Sequence, residues 1–187
     1  LKEVNLVHVQ TPNEERKTLN ILPENKSAVV IAAPNGIKDE LLKCEYKGID
    51  SGKVLYMTQL NEQRKTESRW FIKNIWSKIL VANPSAELLI LGKVEDINHP
   101  SLSYVREAKN VKVLGFVDDL VEVYESVEVA VVPIFHGTGL INRILDALTA
   151  GIPVVSTTNA INTFGDLQIG KQIIVANKDT EFAKSVV

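Results

Sequence analysis

The chain has 187 residues, with 21 basic and 23 acidic side chains, a formal net charge of −2, and 45% hydrophobic and 24% charged residues. A core of that size offsets the ordering entropy of the chain, which excludes disorder as the main state, and the near-neutral balance removes the electrostatic basis for nucleic-acid binding. No uninterrupted apolar run approaches the roughly 20 residues of a membrane span. Cys44 stands alone, so no internal disulfide and no Cys-rich zinc site is expected. These features read as a soluble, reduced, cytoplasmic chain. Leu1 is not an initiator methionine and no signal peptide follows it. Residues 179–187 read as the opening of an amphipathic helix that stops early, so the chain is expected to be a piece of something longer.

Val4–Gln10 is rich in β-branched residues and predicts a strand. A helix start follows it: Thr11 is placed to cap, Pro12 suits the first helical position, and Glu14 and Glu15 favour the positive end of the dipole. Ser27–Ala33 is a second apolar strand, closed by the turn Pro34-Asn35-Gly36. Residues 47–52 read as a linker. From Lys53 onward short apolar strands alternate with helices. Strands are predicted at 54–57, 87–91, 111–114, 129–134, 154–156 and 172–176, and helices at 67–81, 120–127 and 140–150. The pattern argues for an α/β chain with a doubly wound parallel sheet, covered by helices on both faces.

Ligands of such sheets sit outside the carboxyl ends of the strands. Three loops there carry signals: Thr58 to Lys65, with Arg64; Gly115-Phe116-Val117-Asp118-Asp119; and Pro133 to Leu140, leading into a helix with Arg143 and Asp146. In the third, Gly137 and Gly139 allow close backbone approach, and the helix N-terminus suits a phosphate or pyrophosphate. Arg143, about one turn in, adds a charge-assisted bond, and Asp146 on the same face can accept from a ribose diol. The same residues also fit a plain chain turn followed by a surface ion pair. His136 is equally a ligand contact or a solvent-facing loop residue. His8 and His99 read as structural, and the three histidines lack metal-ligand spacing. Asp119 is expected to cap a helix, and Trp70, Phe71 and Trp76 to pack in the core. Cys44 has no nearby base in sequence and reads as inert.

The ordered run Val131-Val132-Pro133, Gly137-Thr138-Gly139-Leu140, Arg143 to Leu148, and Ala150 to Thr157 resembles the nucleotide-sugar half of the family-4-like GT-B enzymes, the glycosyl transferases group 1. Ala33 to Ile37, Trp70-Phe71, Asn83-Pro84, Leu89 to Gly92 and Val113 to Val117 fall at further landmarks of that family. The resemblance implies residues 1–26 as the tail of an N-terminal domain and 27–187 as a Rossmann-like, C-terminal nucleotide-sugar-binding domain with its last helix cut short. It implies transfer of a sugar from a nucleotide-diphosphate donor to a glycan, lipid or protein acceptor in glycan or surface-polysaccharide synthesis, with no metal and no resident cofactor. In that frame Arg143 and the amides of Gly137, Thr138, Gly139 and Leu140 hold the diphosphate, and Asp146 the ribose. Gly115, Phe116 and Val117 read the base, with His136, Thr58 and Arg64 as further donor contacts. Catalytic groups are expected on the N-terminal domain. Members of the family often carry two glutamates seven residues apart; here Asp146 takes the second place and Thr138 or His136 the first. The alternatives are a glycosyltransferase-like module that binds without catalysis and a GT-B-shaped sugar-nucleotide epimerase.

Overall fold

The computed structural model describes residues 5–23, 28–62, 65–136, 141–162, 164 and 167–187. At the start, β1 (Leu6–Val9), α1 (Pro12–Ile21) and β2 (Val29–Ala32) form a small unit in which the two strands pair in parallel, Leu6 opposite Val29 and Val9 opposite Ala32. The helix begins where the sequence places it. Thr11 Oγ1 accepts from the Glu14 amide at 3.2 Å while the Glu14 carboxylate accepts from the Thr11 amide at 3.2 Å, a reciprocal capping box. His8 is structural as expected, its Nε2 2.9 Å from the Ala33 carbonyl oxygen. The strand expected at 27–33 thus joins β1 and not the main sheet, so the expected boundary after residue 26 falls between two paired strands.

After a 3₁₀ turn (Asp39–Lys43) the regular α/β part begins. Its strands are β3 (Lys53–Met57), β4 (Glu87–Leu91), β5 (Val111–Gly115), β6 (Val129–Val132), β7 (Val154–Ser156) and β8 (Ile174–Val175). They form one sheet in the order β5-β4-β3-β6-β7-β8, every adjacent pair parallel. The chain runs outward from β3 to β5, then restarts on the other side of β3 with β6. That reversal makes the β3/β6 junction the switch point of a doubly wound sheet.

Alternation along the strands divides the core between two faces. Val54, Tyr56, Leu88, Ile90 and Val131 pack on one side, and Leu55, Met57, Leu89, Leu91 and Val132 on the other. The first face is covered by a helical rod built of α2 (Lys65–Trp70), a π-helical segment (Phe71–Trp76) and α3 (Ser77–Ala82), together with α4 (Ser103–Arg106). The second lies under α5 (Leu120–Ser126), α6 (Asn142–Thr149) and α7 (Thr158–Ile161). The last helix, α8 (Asp179–Val186), returns to the first face, where Phe182 meets Phe71 at a ring separation of 5.9 Å.

Several expectations change in extent: among them, the strand expected at 129–134 ends at Val132, and the helix expected over 140–150 ends at Thr149. The helix expected over 67–81 forms over 65–82, and its middle is a π segment, which periodicity alone does not reveal. The strand expected at 172–176 contracts to β8, because Gln172 donates its amide to the Gln168 carbonyl in a turn at 2.9 Å. Elsewhere Asp119 caps α5 as expected, accepting from the Glu122 amide at 3.1 Å. Phe71 and Trp76 are buried, and Trp76 Nε1 donates to the Lys109 carbonyl at 2.8 Å. Trp70, half-buried, stands edge-on to Phe135 with ring centroids 4.6 Å apart.

Candidate active site

The switch point predicted from topology holds a cavity of about 350 Å³, within the range of small-molecule sites. Its walls come chiefly from three strand ends, Met57, Thr58 and Gln59 at β3, Leu91, Gly92 and Lys93 at β4, and Gly115, Phe116 and Val117 at β5, together with Arg143 and Asp146 from α6, Tyr124 from α5, and Lys38.

The strand ends are tied together by main-chain bonds. The Thr58 amide donates to Leu91 O at 3.0 Å and the Gly92 amide to Gly115 O at 2.9 Å. Gly92 has φ +135°, and a Cβ built on it would overlap the Thr58 carbonyl oxygen. Only glycine lets the two backbones come so close. Gly115, at φ +71°, turns the chain so that Phe116 projects into solvent at the cavity mouth, 82% exposed. An aromatic left uncovered beside a cavity is suited to stacking on a flat ligand.

Arg143 and Asp146 lie on the inner face of α6. The Arg143 guanidinium donates to the Met57 carbonyl at 3.0 Å, which anchors its charge over the end of β3. The Asp146 side chain, 12% exposed, accepts from Lys38 Nζ at 2.9 Å. Deeper in, Tyr124 donates its hydroxyl hydrogen to Met57 Sδ. Burial, and after it the nearby Asp146 charge, holds the Tyr124 phenol well above its ordinary range. The walls therefore carry three basic side chains, Lys38, Lys93 and Arg143, against one carboxylate, a balance that favours an anionic ligand.

Of the residues singled out in the sequence, Thr58, Gly115, Phe116, Val117, Arg143 and Asp146 share this one cavity. His136 does not line it; it is exposed just after Phe135, whose ring is held against Trp70. Arg64 and the loop Gly137, Thr138, Gly139 and Leu140 lie outside the described residues. Sequence reasoning missed Lys38, Gly92, Lys93 and Tyr124. Gly92 was legible only within the Leu89–Gly92 landmark, with no sign of a role in the site, and Lys38 carried no signal, since its partner is 108 residues away. Cys44 sits partly buried, and burial together with Glu125, Asp119 and Glu40 pushes its thiol up, away from the nucleophilic thiolate. Among the described residues no three potential ligating side chains gather into a metal site, and no helix is long and apolar enough to cross a membrane.

The family profile of the glycosyl transferases group 1 matches residues 51–187, the whole of the six-stranded part. The chain belongs to this family. Its fold is that of the Rossmann-like half of GT-B enzymes. Structures of similar fold include Anabaena HepE solved with UDP and glucose, 15% identical, with a TM-score of 0.67 over 97% of this chain and 52% of that one. The pneumococcal O-GlcNAc transferase GtfA, solved with UDP and GlcNAc, is 13% identical, with a TM-score of 0.72 over 99% of this chain and 37% of that one. In sequence, an uncharacterised 44.6 kDa protein of the cps region of Klebsiella pneumoniae is 24% identical over 123 residues, which is 63% of this chain and 31% of that protein. This glycosyl transferases group 1 chain thus spans about half of HepE and about a third of the Klebsiella protein.

Proposed function

We propose that this chain supplies the nucleotide-sugar-binding half of a cytoplasmic glycosyltransferase, which passes a sugar from a nucleoside-diphosphate donor to an acceptor in glycan or surface-polysaccharide synthesis. The observation that carries the reading is the switch-point cavity, where Arg143, Lys93 and Lys38 face a buried carboxylate and an exposed aromatic ring. Each part answers one part of a nucleoside diphosphate: Phe116 and the backbone at Gly115–Val117 for the base, Asp146 for the ribose diol, Arg143 for the diphosphate. The UDP held by HepE and GtfA supports that class of ligand, and the cps-region relative supports a polysaccharide product.

Chemically, the site's contribution is to stabilise the departing diphosphate against fixed positive charge, the term on which such transfers depend most. Arg143 is already anchored by Met57 O, so little reorganisation accompanies binding. The acceptor and the groups that act on it belong to the other half of the cleft in this reading, and residues 1–26 are the tail of that half. No metal or resident cofactor is part of the proposal; the nucleotide sugar is a substrate.

Calorimetric titration of the chain with UDP, GDP, uridine and guanosine tests the reading. Binding of one diphosphate is expected, and Arg143→Ala is expected to weaken it by about 1.5–3 kcal/mol while leaving the nucleoside nearly unchanged, because the lost bond is charge-assisted. Equal losses for nucleoside and diphosphate would make Arg143 structural. Absence of any nucleotide binding would overturn the site assignment.

A further inference from the structure

The segment between β2 and the 3₁₀ turn does more than connect two sheets. It touches α6 at two points one helical turn apart. Asn35 Nδ2 donates to Asn142 Oδ1 at 2.7 Å, and Lys38 Nζ donates to Asp146 Oδ2 at 2.9 Å. Positions 142 and 146 are i and i+4, so they lie one above the other on the same face of α6. The contact extends back to the small unit, because Gln10, just past β1, donates from Nε2 to Asn35 Oδ1 at 3.1 Å. A polar chain thus runs Gln10, Asn35, Asn142 beside the ion pair, from the end of β1 to the helix that carries Arg143.

The ion pair is asymmetric. The Asp146 side chain is 12% exposed and cannot reach bulk water freely, while that of Lys38 is 47% exposed. A mostly buried carboxylate needs a partner, and among the described residues Lys38 is the cation that meets it. Lys38 occupies Oδ2. A carboxylate offers about four lone-pair sites on its two oxygens, so Asp146 can keep Lys38 and still accept from two hydroxyl groups.

We propose that Lys38 is a positioning residue of the nucleotide site: by docking the 35–38 segment on α6 it fixes the Asp146 carboxylate for the sugar diol and couples occupancy of the site to the position of the β1–α1–β2 unit. The ligand side of this inference rests on the nucleotide reading above. Lys38 acts through Asp146, so its effect falls on the ribose, whereas that of Arg143 falls on the diphosphate. Nucleoside and diphosphate must therefore lose affinity by the same factor when Lys38 is removed.

The test uses the whole chain with Lys38→Met and Lys38→Arg, since a half-exposed lysine is replaceable without loss of the fold. Hydrogen exchange of the free protein is expected to show faster exchange over residues 33–43 and the first turn of α6 in K38M, with K38R close to wild type. Affinities for uridine and UDP, or for guanosine and GDP if that base is the one bound, are expected to fall together in K38M by about three- to tenfold, the scale of a partly exposed charge-assisted bond, and to recover in K38R. The nucleotide is also expected to slow exchange in residues 6–9 and 29–32 of wild type but not of K38M. A loss confined to the diphosphate would make Lys38 a phosphate ligand and overturn the positioning role, as would unchanged affinity and exchange in K38M. If wild type binds no nucleoside or nucleotide at all, the nucleotide reading falls and this inference with it; if wild type binds and K38M binds equally well, this inference falls alone.

Discussion

The two sheets of this molecule are built from similar strands and end in opposite conditions. In β6 all four residues are buried, and in β3 and β4 four of five, because helices cover both faces. In β1 and β2 the same kinds of side chain face outward: Leu6 and Val29 are each 56% exposed, and α1 buries none of its residues. Yet α1 has the more complete local signal of the two parts, a capping box with proline at the first turn, while α6 starts with no side-chain cap at all. Local chemistry decides where a helix begins. It does not supply the burial that makes the helix stable, which comes from the layers around it.

That contrast can be broken or sharpened by experiment. The largest expected effect is in the six-stranded part: Trp76→Ala removes a fully buried side chain and its bond to Lys109 O, and should cost about 3–5 kcal/mol in chemical denaturation. A much smaller loss would mean that this core is as loosely covered as the small unit. Gly92→Ala comes next, at about 2–4 kcal/mol, because the new methyl group overlaps the Thr58 carbonyl in a backbone conformation unfavourable to alanine. It should also weaken nucleotide binding, since the strand ends it separates line the cavity. Smallest is Thr11→Ala, about 1 kcal/mol for a lost cap. It should quicken amide exchange in α1 and leave the denaturation midpoint of the main sheet unmoved. A shift of that midpoint equal to the local loss would show that the two sheets unfold as one, and the comparison would fail.

The sequence carried most of the architecture because a parallel sheet covered on both faces writes itself as short apolar runs. Val129 to Val132 and Glu87 to Leu91 could be read that way without further information. The site was legible only where a single loop or helix carried the signal, as with Gly115–Val117 and the Arg143–Asp146 pair. Its remaining parts arise from segments far apart in the chain: Lys38 against Asp146, Gly92 against Thr58, Tyr124 against Met57. No spacing rule records such contacts, because they exist only after the strands have been ordered. The π segment at Phe71–Trp76 escaped for a different reason. Its apolar positions fit an ordinary helical repeat, so hydrophobic pattern cannot separate the two.

The close approach of Gly92 to Thr58 also bears on how such a site can change over generations. The floor of the cavity between β3 and β4 is main chain against main chain, and no substitution can add a side chain there without pushing the strands apart. Variation is channelled to the rim, where Phe116 and Lys93 stand at the ends of strands whose packing does not depend on them. A lineage carrying this floor can exchange one ligand preference for another by altering rim residues singly, each step leaving a folded protein. Its main-chain floor would stay the same through all of them.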